Sequence, residues 1–313
     1  MTNKVRVGVV GVGYLGRIHA RIYNKMPNVT LVGVADTNAA AAAEIAEELA
    51  CKTFSRGEDL IGKIDAVSIV VPTLYHLQTA RPFLENGIHM LMEKPIAATL
   101  QESHQLVEMA EKAGVIFQVG FLERFNAGLM EMAAKVTDPR FIEVHRLSTF
   151  VERATDVDVI TDLMIHDIDI VLSLVDADIV AVSASGIAVL TDHVDIANAR
   201  LEFANGAVAN VTASRVSNKK HRRIQVFEHQ CYYGLNFVDQ QLEIARPARS
   251  TDKQRPDIVM ERPYIEPGMP LDTELAAFID SINTGQPPLV DGRVGIKAIE
   301  VAQQVREKIA ACS

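Results

Sequence analysis

The first thirty-six residues constrain this chain most. An apolar run, Val5–Val10, leads into Gly11, Gly13 and Gly16 at the spacing G-x-G-x-x-G, and Leu15, Ile18, Ile22 and Met26 then recur at helical intervals. A second apolar run, Val29–Ala35, ends at Asp36. Strand, glycine turn, helix, strand and acid in that order predict the opening βαβ unit of a dinucleotide-binding sheet, a far stronger signal than the glycines alone. Each piece has a physical task. Gly11 permits the tight turn, Gly13 lets backbone approach a pyrophosphate, and Gly16 allows helix and strand to pack closely. Tyr14 and Leu15 open a helix whose first N–H groups face the phosphates. Asp36, twenty residues past Gly16, is placed to accept both hydroxyls of an adenosine ribose. A carboxylate there repels a 2′-phosphate, and the next residues, Thr37 and Asn38, offer no cation to receive one, so NAD is favoured over NADP. The loop and the acid by themselves also suit a methyltransferase, or a protein that only senses a nucleotide.

A chain of 313 residues has room for two domains with separate cores. With 48% hydrophobic residues it reads as globular, and a net charge of −9 argues against a nucleic-acid partner. Cys51, Cys231 and Cys312 are too scattered for a metal site or a disulfide framework, which fits reduced thiols in a cytoplasmic protein. Met1-Thr2-Asn3-Lys4 leads straight into a strand, leaving no room for a signal peptide, and no apolar run approaches membrane-spanning length.

Strands and helices alternate through the N-terminal part. Helix is expected over residues 38–49, a buried strand over 66–71, helix over 76–86 with Gly87 after it, and strand over 89–92. Thr99 and Glu102 form a capping-box pattern before a helix ending near Gly114, and a strand over 115–119 follows. This alternation predicts an α/β Rossmann domain, a doubly wound parallel sheet over residues 1–120, with ligands beyond the carboxyl ends of its strands. From residue 121 to 313 the pattern changes to an α+β domain with a largely antiparallel open sheet. Strands are expected over 141–151, 179–190, 196–203 and 207–214, with one or two more over 224–237, and a helix over 161–175. Asn205-Gly206 marks a hairpin turn. Residues 247–270, rich in Pro and charge, read as a long loop before two closing helices, 272–283 and 294–311. The open sheet face favours self-association as a homodimer or homotetramer.

Several side chains are candidates for chemistry. Glu93-Lys94-Pro95 follows a strand end, so Lys94 enters the predicted cleft as a cation and proton donor. The helix near residue 165 is apolar on most sides, yet Asp162, His166, Asp169 and Ser173 fall on one stripe, which must face polar partners or a wet cavity. Asp162 and His166 lie one turn apart, where a carboxylate can orient an imidazole and raise its basicity for general-base work. A satisfied buried Asp–His pair is the alternative, and no second His or Cys cluster supports a metal. Thr73 and His76, at another strand end, are placed to line a nicotinamide pocket, with simple helix capping as the alternative for His76. Arg124 and Asn126 lie at the crossover between the halves; Arg124 is placed either to reach cofactor or substrate or to form a hinge salt bridge. Arg215, Lys219, Lys220, His221, Arg222 and Arg223 form the one dense basic run, which suits an anionic substrate or a solvated loop.

Taken together, Gly11-Val12-Gly13-Tyr14-Leu15-Gly16, Glu93-Lys94-Pro95 and Asp162 with His166 four residues later resemble the Gfo/Idh/MocA oxidoreductase family over essentially the whole chain. The resemblance implies an NAD(P)-linked enzyme acting on a CH–OH group of a sugar or polyol, with nicotinamide between the two domains. It makes Lys94, Asp162 and His166 the catalytic residues. It implies cofactor contacts from Gly11, Gly13, Tyr14, Leu15, Gly16, Asp36, Thr73, His76, Glu93 and Lys94, and substrate contacts from Lys94, Arg124, Asn126, Asp162, His166 and Arg215. Where many members carry Gly-Gly before the Asp, this chain has Val157-Asp158-Val159-Ile160-Thr161. The segments 162–169 and 214–217 look like the branch that oxidises the 3-hydroxyl of UDP-N-acetylglucosamine for a lipid A precursor, in which case the basic run meets the diphosphate. Oxidation of a free sugar, polyol or inositol is the alternative within the family.

Overall fold

Short β-branched runs that bury both faces build the first sheet. The computed structural model of the protein describes residues 4–151, 157–248 and 257–311. Met1 to Asn3, Cys312 and residues 249–256 of the expected long loop lie outside the described residues. The N-terminal elements are β1 (Val5–Val10), α1 (Tyr14–Lys25), β2 (Val29–Ala35), α2 (Ala39–Leu49), β3 (Lys52–Phe54), β4 (Ala66–Ile69), α3 (His76–Glu85), β5 (His89–Glu93), α4 (Leu100–Ala113) and β6 (Phe117–Gly120). The six strands pair in parallel in the order β3-β2-β1-β4-β5-β6. The order reverses between β1 and β4, the switch point where ligands of such sheets bind. β4 is buried at every position, Ser68 included, as a central parallel strand covered on both faces must be. Thr99 and Glu102 form the expected capping box on α4, and Gly114 closes the helix at φ +65.

The C-terminal elements are α5 (Ala127–Ala133), β7 (Phe141–Leu147), a π-helical turn (Ile160–Met164), α6 (Ile165–Leu174), β8 (Ile179–Ile187), β9 (Ile196–Phe203), β10 (Val208–Ser214), β11 (His221–Glu228), β12 (Cys231–Asn236), β13 (Gln241–Pro247), β14 (Ile258–Glu261), α7 (Pro270–Thr284) and α8 (Gly292–Ala310). Eight strands form one sheet in the order β14-β13-β12-β11-β7-β10-β9-β8, antiparallel except for the β7–β10 pair. Ala197, Ala199, Leu201 and Phe203 on β9 are buried and alternate with outward polar residues. Asn205-Gly206 makes the turn to β10, Gly206 at φ +81. Part of the expected long loop is strand instead: β14 pairs with β13 at the sheet edge. Its four residues are all exposed, so no burial pattern announces them.

The chain divides into two compact units, residues 1–122 with 269–297 and residues 123–268 with 298–313. The return of α7 to the first unit departs from a division at residue 120. Its cause is apolar: Leu275, Phe278 and Ile279 of α7 are fully buried in the cluster that holds Val7, Tyr23 and Leu91. Among the described residues no helix is long and apolar enough to cross a membrane. Truncating Phe278 to Ala should destabilise the first unit by about 3–5 kcal/mol. Urea unfolding of the full-length protein checks this, and an unchanged midpoint would show that α7 is a dispensable attachment.

Candidate active site

In the first unit, the glycine turn fits a dinucleotide. Gly11 sits at φ +89, and a Cβ there would meet the Val70 carbonyl oxygen at 2.5 Å. A Cβ on Gly16 would lie 1.8 Å from the Gly11 oxygen, so α1 packs on the turn with no side chain between them. Around Gly13, by contrast, a Cβ meets nothing within 4 Å, which leaves space for a ligand beside the backbone. Gly13 caps α1 without a side-chain hydrogen bond, so the helix N-terminus is open to an anion. Asp36 accepts from Val12 N at 2.7 Å and Asn38 N at 2.8 Å, one backbone donor on each carboxylate oxygen. These bonds aim the carboxylate and leave lone pairs for a ribose. Gly11, Gly13 and Asp36 line one cleft of about 1040 Å³, walled by Ser55, Arg56, Val71, Pro72 and Tyr75. These residues would hold the adenosine and diphosphate of NAD.

The neighbouring strand ends carry the other first-unit candidates. Glu93 ends β5, half-buried Lys94 follows, and the Lys94–Pro95 bond is cis. Thr73 opens a short 3₁₀ turn ahead of α3. His76 does not line a nicotinamide pocket. It is 1% exposed, with Nε2 2.9 Å from the Val71 carbonyl and Nδ1 3.2 Å from that of Ile96. Burial pushes its pKa down, and the ring straps the end of β4 to the stretch after Pro95.

In the second unit, Asp162 lies on the π-helical turn and His166 on the first turn of α6, both half-buried. A π turn is a local irregularity common where a helix presents functional groups. Of the rest of the expected stripe, Asp169 turns inward and Ser173 is exposed. Asp169 is buried 3.2 Å from Arg124 Nη1, so Arg124 forms a salt bridge with it. Among the described residues Asp169 Oδ2 has no partner, and burial pushes this carboxyl up to about 7. Ser173 bonds the Ile170 carbonyl. Asn126 is a correction as well: it is buried, caps α5 through Gly128 N and Leu129 N, and donates to the Phe237 carbonyl. A side chain so occupied is structural. Arg215 is 5% exposed, donates to Val157 O at 2.6 Å and lies 3.7 Å from Asp195, so it serves the segment leading to Asp162 rather than an open anion site.

Spacing gave no sign of the ion network beneath α6. Arg146 chelates the fully buried Asp167 through Nε and Nη2, at 2.6–3.0 Å, and reaches Glu123 at 2.7 Å. Burial opposes the charge of Arg146, but Asp167 and Glu123 outweigh it and raise its pKa. Arg222 Nη1 lies 3.5 Å from Glu123, and Arg223 bonds Tyr232 Oη at 2.8 Å. The basic run is therefore divided, with Lys219, Lys220 and His221 exposed. The cleft wall at Ser55 and Arg56 was also missed, because β3 is three residues of which Lys52 and Thr53 are exposed. Among the described residues, no group of His, Cys, Asp or Glu is arranged to hold a metal ion.

Comparisons with known proteins agree with this geometry. Residues 5–121 match the model of an oxidoreductase family with an NAD-binding Rossmann fold, and residues 129–230 match the GFO/IDH/MocA C-terminal domain. The chain is 37% identical over 308 residues to UDP-N-acetylglucosamine 3-dehydrogenase of Acidithiobacillus ferrooxidans, covering 98% of each. A solved structure of that enzyme superposes with a TM-score of 0.92 at 36% identity, again covering 98% of each chain. The scyllo-inositol 2-dehydrogenase (NAD(+)) of Bacillus subtilis is 32% identical over 243 residues, 71% of this chain and 70% of that one.

Two outcomes follow from the geometry. Asp36→Ser should weaken NADH binding roughly tenfold or more by removing a charged hydrogen-bond acceptor. It should also relieve repulsion of a 2′-phosphate beside Arg56, which lines the same cleft. Parallel NADH and NADPH fluorescence titrations read this as a shift in preference, and an unchanged ratio would remove Asp36 from the selection. Asp169, raised from its ordinary 3.8 to about 7, binds more protons folded than unfolded between those values. Its contribution to stability is therefore present at low pH and lost as pH rises toward 7. Asp169→Asn should flatten that part of the stability profile, measured as urea midpoints between pH 4.5 and 7.5; an unchanged slope would contradict the assignment.

Proposed function

The chain belongs to the GFO/IDH/MocA family of NAD-linked oxidoreductases, and from that premise we propose that it oxidises the 3-hydroxyl of UDP-N-acetylglucosamine to a 3-keto nucleotide sugar. The observation that carries this substrate is the similarity to the Acidithiobacillus enzyme along nearly the full length of both chains. The product would suit amination on the way to an amide-linked lipid A precursor. The reading puts the enzyme in the cytoplasm, with which its free thiols Cys51 and Cys231 agree.

Bound NAD supplies the hydride acceptor. Every other task falls to the chain. His166 removes the proton of the reacting hydroxyl, and Asp162, on the preceding turn, orients the imidazole. Lys94 hydrogen-bonds the reacting oxygen and stabilises the negative charge that develops on it. Gly11, Gly13, Tyr14, Leu15, Gly16 and Asp36 hold the adenosine and diphosphate; Thr73 and Glu93 lie on the nicotinamide side. A free inositol or polyol as substrate is the second reading, supported by the similarity to scyllo-inositol 2-dehydrogenase. Self-association as a homodimer or homotetramer through the open sheet face is supported by the half-exposed rings of Phe141, Phe227 and Tyr232, whose centroids lie 5.9 and 5.2 Å apart in succession. Light scattering reads it directly.

NADH formation should be seen with UDP-N-acetylglucosamine and not with free sugars or inositols at equal concentration; the reverse order would make the second reading correct. Lys94→Ala and His166→Ala should each lower kcat roughly 100-fold or more, with NADH affinity within about threefold of wild type, because neither holds the adenosine half. Unchanged turnover in both variants would sink the mechanism.

A further inference from the structure

Beneath the cofactor turn, the first unit buries a row of polar side chains that the proposed reaction does not use. His19 projects from α1 and is 0% exposed, as are Ser68 on β4 and Tyr23 one turn along α1. Tyr23 Oη lies 2.8 Å from Ser68 Oγ, Ser68 Oγ lies 3.3 Å from His19 Nδ1, and His19 Nε2 lies 3.2 Å from Glu93 Oε1. One polarity runs through the row. The Tyr23 hydroxyl donates to Ser68 and the Ser68 hydroxyl donates to Nδ1, which leaves the N–H on Nε2 beside the Glu93 carboxylate, a close polar contact short of hydrogen-bond alignment. Burial raises the pKa of Tyr23, which keeps it a donor. A row of donors with one polarity, ending on a carboxylate, is costly to bury unless that carboxylate stays in place.

Glu93 is also confined from other sides. Its carboxylate oxygens would lie 3.0 and 3.1 Å from a Cβ on Gly120, so β6 passes against it with no side chain between them. Glu274 of α7 is fully buried with no partner for either carboxylate oxygen among the described residues, and burial and the charge of Glu93 hold it well above the usual carboxylate range. Gln118 donates to the Glu274 carbonyl from the same interior. The next residue after Glu93 in the chain is Lys94.

We propose that His19 is a positioning residue: by fixing Glu93 it fixes the turn that presents the Lys94 amine. Helix α1 would then perform two tasks, one at its N-terminus toward the diphosphate and one through its buried face toward the reacting end of the site. This inference rests on the proposed role of Lys94, and its test is chosen to stand apart from the choice of substrate.

The test is the reactivity of Lys94 toward an amine-acylating reagent, followed by peptide mass spectrometry across pH 6–10 with no substrate present. His19→Leu should shift the pH midpoint or change the rate of Lys94 acylation by threefold or more, while NADH affinity stays within about threefold. His19→Gln, which keeps an N–H donor at the reach of Nε2, should restore the wild-type profile. In turnover, kcat should fall roughly 10- to 100-fold in the Leu variant and recover in the Gln variant, the scale expected for misplacement of a catalytic group. Ser68→Ala, a smaller change that tests the same row, should shift Lys94 in the same direction if the Leu variant does not fold. Lys94 acylation identical to wild type in the folded Leu or Ala variant overturns the proposal, as does a Gln variant that behaves like Leu. If wild type fails to turn over any nucleotide sugar, the substrate assignment fails, and the acylation profiles still decide the role of His19.

Discussion

The first unit depends on a contact with no side chains in it. Gly16 packs its backbone on the Gly11 carbonyl, where a methyl would sit at 1.8 Å, and Gly11 packs on the Val70 carbonyl, where one would sit at 2.5 Å. That double approach sets the position of α1 against the β1–β4 switch point. The open N–H groups at the start of the helix then face the cleft that holds Asp36. The same placement brings His19 and Tyr23 against β4 and the end of β5. One packing constraint thus sets both where an anion binds and how Glu93 and Lys94 are held.

The second unit reaches rigidity by a different route. Its functional helix carries two buried carboxylates, and each meets an arginine from outside the helix. Asp167 has a bidentate partner in Arg146, and Asp169 a single contact with Arg124. Losing one partner of such a pair is costly, because it strands the other charge away from water. These pairs hold α6 directly after the irregular π turn, the stretch that carries Asp162 and His166. Burial, which the single Arg124 contact only partly offsets, pushes the Asp169 carboxyl up to about 7, and its second oxygen has no partner among the described residues.

Much of this was legible in the sequence wherever periodicity or backbone chemistry carries the signal. The glycine turn, Asp36, the capping box at Thr99 and the Asn205-Gly206 hairpin depend on local rules, and they stand where those rules put them. Edge elements were not legible: β3 and β14 are short and largely exposed, so no apolar pattern marks them. Pairings between distant residues were not legible either. Nothing in the spacing separates Asp162 and His166 from Asp169 on the same stripe; only burial does. Asn126, Arg215 and His76 look like site residues by type and place along the chain, yet each bonds a backbone carbonyl from a buried position. Arg56 enters the cofactor cleft from the turn after β3, although no cation follows Asp36 in sequence. The homologous sugar dehydrogenases establish the chemistry of the family, while the hydroxyl that reacts depends on contacts that no local pattern encodes.

The central claim is that hydride leaves C3 of a nucleotide sugar held for His166 and Lys94. UDP-N-acetylglucosamine carrying deuterium at C3 tests it most directly. The account predicts that the label appears in the reduced nicotinamide and that single-turnover oxidation slows relative to the protiated sugar. Reduced cofactor free of deuterium, formed while the sugar is oxidised, would contradict it.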